Sequence, residues 1–212
     1  INDIHLTKET SSRIVPICEG LGFTMQLIKG GQYMMGSPNF NIEVKVNDFY
    51  MCRYTVTKKI WRKIMGDTTK GMYDNHPAVN MPIEKIKEFI KKINDISNFE
   101  FYIPSEEEWE WAARGGLNSK GYTYSGSNLL KEITWYKDNC ENFLSARSAY
   151  GENSSTKHPN ELGLIFMSGN VWELCKEYGT DTGCYVIRGG SFKSSAEECK
   201  VYSRANRHNS RK

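Results

Sequence analysis

Histidine is scarce in this chain of 212 residues, and cysteine falls into no metal-binding spacing. The histidines (His5, His76, His158 and His208) are dispersed, and Cys18, Cys52, Cys140, Cys175, Cys184 and Cys199 form no CxxC. That pattern excludes a zinc site of the kind sequence can reveal and leaves the redox compartment open. No run of apolar residues is long enough to cross a bilayer as a helix. Internal repeats and βαβ alternation are also lacking, which argues against solenoids and parallel-sheet folds. The formal net charge is only +3, so nucleic acid is not an expected partner.

The residues that are present describe one ordinary core. Hydrophobic residues make up 39% and charged residues 25%, and aromatic rings reach 12%, a load that needs packing surface. Residues 1–22 are weakly periodic and read as a lead-in, with one domain over 23–212. "FTMQLIKGGQYMMGS" alternates around Gly30-Gly31 and reads as a hairpin; "IEVKVNDFYMCRYTVT" reads as a second strand pair. Thr57 caps a short helix ended by Gly66, and Pro82 opens an amphipathic one with Ile83, Ile86, Ile90 and Ile93 inward. In "FYIPSEEEWEWAARGG", Ser105 and Glu108 form a capping box, and the three glutamates suit the positive end of a helix rather than acid–base chemistry. Residues 117–160 read as long irregular surface structure containing Trp135 and Tyr136. Mixed helices and strands without βαβ order make the fold class α+β.

Positive charge gathers at the end of the chain, where Arg188, Lys193, Lys200, Arg204 and Arg207 outnumber Glu197 and Glu198. Such a cluster meets either solvent or an anionic ligand. Cys199, in the same stretch, reads as a small buried residue alternating with Val201 along a strand. Its competing reading is a reactive thiol with His208 as base.

Four segments in order, "IKGGQYMMGS", "YIPSEEEWEWAARGG", "NELGLIFMSGNVWELC" and "VIRGGSF", resemble the formylglycine-generating, sulfatase-modifying-factor domain family. The resemblance implies a C-type-lectin-like fold: two or three helices, small twisted antiparallel sheets and extensive loops. In its enzymes, two cysteines after the Gly-Gly-Ser turn hold copper and convert a substrate cysteine into formylglycine. Cys199 matches the second, whereas Ser194 stands at the first. A hydroxyl is a poor replacement for a soft thiolate, so the catalytic role of Cys199 applies only if the chain is an enzyme and a displaced Cys175 or Cys184 completes the pair. The family's calcium loop maps onto Gly169, Val171 and Glu173, but Phe166 replaces a side-chain oxygen donor. That leaves at best a weak calcium site, with Glu173 turning to Arg188 or a backbone N–H instead.

No cofactor is expected; calcium is possible, and copper belongs only to an oxidase. The first functional expectation is a non-catalytic recognition protein for a protein, peptide or glycan. Its surface would be Lys193, Ser194, Ser195, Tyr202, Ser203, Arg204, Asn206, His208 and Asn209, with Trp135 beside them. This stretch also resembles the variable region of retroelement-diversified receptors. The second expectation is a copper-dependent formylglycine-generating oxidase acting on a cysteine of a target protein, and the third is a structural module of a cell-surface or phage assembly. An extracytoplasmic, cell-surface or phage location follows from those readings.

Overall fold

A computed structural model describes residues 12–18, 21–67, 73–140, 157–178 and 184–208. Three antiparallel sheets are present among them. The first joins β1 (Ser12–Cys18), β2 (Leu21–Ile28) and β5 (Phe49–Cys52); the second pairs β3 (Gly31–Ser37) with β4 (Phe40–Val46). The third runs β6 (Glu173–Tyr178), β7 (Cys184–Arg188) and β8 (Arg204–His208). With α1 (Lys58–Met65), α2 (Ile83–Ile96), α3 (Glu106–Ala113) and the single-turn α4 (Leu130–Ile133), the architecture is α+β.

Two sequence readings change here. Residues 12–18 are not a lead-in: β1 pairs with β2 and buries Val15 and Ile17. Gly30-Gly31 is not a hairpin turn, because β2 pairs with β1 and β5 while β3 pairs with β4. The glycines instead let the chain leave one sheet for another at close quarters. A Cβ on Gly30 would lie 2.3 Å from the Val46 carbonyl oxygen.

The helix ends follow the sequence. Thr57 Oγ1 accepts from the Ile60 N–H at 3.3 Å, and Gly66 closes α1 with a φ of 84°. Ser105 Oγ accepts from the Glu108 N–H, whose carboxylate accepts from the Ser105 N–H, at 3.1 and 2.8 Å. α1 and α2 pack on the first sheet around Val15, Phe23, Ile60, Phe89 and Ile93, with Trp61 stacked on Phe89. α3 forms the centre of a second core with Trp109, Trp111, Val186 and Val201, all shielded from water. Each fully buried aliphatic side chain there contributes roughly 2 kcal/mol.

Residues 117–140 are less superficial than their composition suggests. Leu130 and Ile133 of α4 form a third cluster with Cys199, and Thr134 is fully buried. Short polar stretches hide this because α4 is too brief to show a helical period.

Candidate functional site

The C-terminal segment is anchored from beneath by charge. Arg188, in β7, is 1% exposed and ion-pairs with Glu106 at 3.2 Å and with Glu110. It also donates to the carbonyls of Tyr202 and Val201 at 3.0 and 3.3 Å and lies over the Trp109 ring. Glu110 in turn accepts from Arg114 and from the Gly36 N–H at 2.8 Å. Arg204 reaches the other Glu106 oxygen at 2.9 Å. Two residues of the basic cluster are therefore spent on α3, and Glu106 has a role beyond the helix dipole. The sequence carried a trace of this: Glu106 and Glu110 are one helical turn apart and so share a face.

Beyond Gly189-Gly190, whose φ angles are 89° and 76°, the chain makes a compact turn. Ser191 O accepts from the Ser194 N–H at 2.9 Å, and Ser194 O accepts from the Lys137 N–H at 3.0 Å. That second bond brings the Trp135 loop against the turn. Cys199 closes a 3-10 turn, Glu197–Cys199, and is not on a strand as its alternation with Val201 suggested. Its side chain is 0% exposed, among Leu130 and Ile133 with Tyr124, Tyr136 and Ala196 around them. A Cβ on Gly190 would sit 2.7 Å from its sulfur, so the glycine is required by contact as well as by φ.

Burial, helped by nearby Glu198, pushes the Cys199 thiol up to about 12. That burial favours the protonated thiol and disfavours a free nucleophilic thiolate. Ser194 is itself buried, with its hydroxyl 3.4 Å from that of Ser191. Cys175 packs in the α3 core, a different cluster from that of Cys199. Among the described side chains, one sealed thiol and one hydroxyl do not fit cuprous ion; the Cys184 side chain lies outside them.

The remaining residues of the recognition surface divide by exposure. Lys193, Arg204 and Asn206 are exposed; Ser195, Tyr202, Ser203 and Trp135 are half-buried. Ser195 donates to Glu198, Ser203 donates to the Glu197 carbonyl, and Trp135 lies under Lys157. His208 ends β8, with its backbone opposite Cys184. Asn209 and the His208 side chain lie outside the described residues.

The loop before β6 keeps an unusual backbone without its oxygen donor. Phe166 is buried yet has a φ of 67°, and Gly169 and Asn170 also have positive φ. Asn170 O accepts from the Phe192 N–H at 2.9 Å, tying this loop to the turn at 191. Glu173 pairs with neither Arg188 nor a backbone N–H: its Oε2 accepts from Trp109 Nε1 at 2.7 Å. Burial pushes the Glu173 carboxyl up to about 7. Gly169 and Val171 offer only carbonyls, and a hard cation wants six to eight oxygens, so this set does not fit calcium.

Glu173 also faces a cavity of about 1010 Å³ between the two larger cores, bordered by Trp61, Phe89, Trp172 and Phe192. Sequence could not reveal it, because its walls come from segments far apart in the chain.

The sulfatase-modifying factor enzyme 1-like domain matches residues 19–212. A chaperone protein, LppX, of Paenibacillus barcinonensis is 26% identical over 229 residues, covering 82% of this chain and 80% of that protein. A formylglycine-generating enzyme of Streptomyces coelicolor is 30% identical over 122 residues, covering 47% of this chain and 38% of the enzyme. The solved structure of Treponema denticola variable protein 1 superposes with a TM-score of 0.79 at 21% identity, covering 96% of both chains. That likeness shows the C-type-lectin-like fold. With the match spanning all but the first residues, the chain belongs to the sulfatase-modifying factor enzyme 1-like domain family.

Proposed function

We propose that this chain is a non-catalytic recognition domain that binds a protein partner through the surface of residues 193–209, with Trp135 at its edge. The observation that carries the reading is Cys199, a thiol sealed among Leu130 and Ile133 at the position where the family resemblance implies one of two copper-binding cysteines. Exposed instead are adaptable hydrogen-bonding groups, Lys193 and Asn206, beside Arg204, which holds Glu106, on a scaffold fixed by Arg188. A protein partner is favoured over a free peptide or glycan because the relative matched over most of its length is described as a chaperone protein. The fold shared with a protein described as variable, and the resemblance of this stretch to retroelement-diversified receptors, extend the proposal to diversification of this surface by a retroelement.

The test uses arrays of proteins, peptides and glycans probed with the native chain and with a Lys193→Glu, Ser195→Tyr, Asn206→Ala triple variant. Binding is expected to a protein and to be lost in the triple variant with its melting temperature within a few degrees of native. Binding that survives the triple variant, or is confined to glycans, contradicts the proposal.

A further inference from the structure

The inter-core cavity is separate from the thiol pocket and from most of the 193–209 surface. Phe23 and Met25 of β2, Phe49 of β5, Phe89 of α2 and Trp109 of α3 supply its apolar walls. At about 1010 Å³ it lies at the upper end of the range for small-molecule sites, roughly 300–1000 Å³. Apolar lining with a few fixed polar groups is the usual composition of such sites.

Arg53, whose buried Nε has no hydrogen-bond partner, lines these walls, and so does Glu173, which stands outside the ion pairs of the described residues. Trp109 occupies its Oε2 at 2.7 Å, and among the described residues no lysine or arginine forms an ion pair with it. A carboxyl removed from water without such a counterpart favours a further hydrogen-bond donor. The charges around the opening limit which donor. Arg13 lies over Tyr50 and Phe99, Arg207 donates to the Met81 carbonyl, and Lys193 and Arg53 also border the space, against Asp48 and Glu100. Charges of both signs thus line the space, and their near balance favours neither a cation nor an anion. A neutral ligand suits that balance.

We propose that this cavity is a binding site for a neutral, ring-bearing small molecule whose single N–H or O–H donates to Glu173. The rings pack against Phe89 and Trp109, and the donor supplies specificity. This site shares Lys193 and Arg207 with the edge of the protein-binding surface proposed above, but its test reads Glu173 and Ala78, so either can fail alone.

Two probes test it: N-phenyl-1-naphthylamine, neutral with one N–H, and 1-phenylnaphthalene, which carries the same ring systems without the donor. Both are titrated by calorimetry into the full chain, with the amine also followed by fluorescence. At about pH 8.5, above the titration of Glu173, the amine is expected to bind roughly tenfold more tightly, the scale of one hydrogen bond to a charged group. Ala78→Trp, which places an indole into the cavity wall, is expected to abolish binding of both probes. Glu173→Leu is expected to reduce the tenfold preference to within about twofold. Should Glu173→Leu fail to fold, the preference on the native chain and its loss in Ala78→Trp decide. Equal affinity of the two probes for the native chain, binding that survives Ala78→Trp, or a preference unchanged in folded Glu173→Leu overturns the proposal.

Discussion

Replacing Arg188 with methionine removes the guanidinium that Glu106 and Glu110 of α3 share. Arg188 is 1% exposed, and Glu110, its partner, is wholly buried. Loss of one member of a buried pair typically costs about 3–5 kcal/mol, an upper figure here because Arg114 still pairs with Glu110 and Arg204 with Glu106. Two backbone carbonyls, of Tyr202 and Val201, lose their donor as well. At about 2–4 °C per kcal/mol for a domain of this size, the melting temperature should fall by up to roughly 20 °C. Arg204→Met is the internal control. Its partner is Glu106, but its own side chain is 55% exposed, so the loss should be under about 1 kcal/mol. Urea denaturation at pH 7 measures both variants, and a cycle with Glu110→Gln isolates the coupling. Equal losses for the two variants, or a loss below about 1 kcal/mol for Arg188→Met, would refute the claim that this network pins the C-terminal segment.

Glu173 makes stability depend on pH in the sense opposite to a salt-bridged carboxylate. Its carboxyl titrates near 7 in the fold against an ordinary value of 4.5, so the folded chain holds the proton more tightly. The contribution is fully present below about 4.5 and is lost as the pH rises through about 7; at about 1.4 kcal/mol per pH unit it is capped near 3 kcal/mol, less for residual solvent access. Glu173→Gln should flatten that part of the stability profile, and an unchanged profile contradicts the assignment. Phe166→Asn restores a side-chain oxygen at a position whose φ of 67° suits asparagine. The native chain's melting temperature is expected to ignore calcium, whereas that of Phe166→Asn should rise on adding it; a calcium-dependent rise in the native chain would show that the carbonyls suffice.

Local features were legible from the sequence and contacts between distant segments were not. The caps at Thr57 and Ser105 depend on neighbours three residues away, so their hydrogen bonds could be read directly. The resemblance carried the fold, because its four segments include α3 and the turn after β7. Strand pairing failed at Gly30-Gly31, since a glycine pair marks a tight passage without saying which strands flank it. At the candidate site, a serine for a cysteine at position 194 and the burial of Cys199 were legible, but the residues that enclose Cys199 were not, because α4 and Tyr136 reach it from sixty or more residues upstream. Trp109 as the partner of Glu173 was hidden in the same way.

The most direct test of the central claim is the cuprous-ion affinity of the folded native chain beside that of Cys199→Ala, measured by competition with a chromogenic chelator. A thiol sealed within an apolar cluster, with Ser194 where a second donor would stand, should leave the two affinities equal. A tight one-to-one site in the native chain that disappears in Cys199→Ala would contradict the account and restore oxidase chemistry.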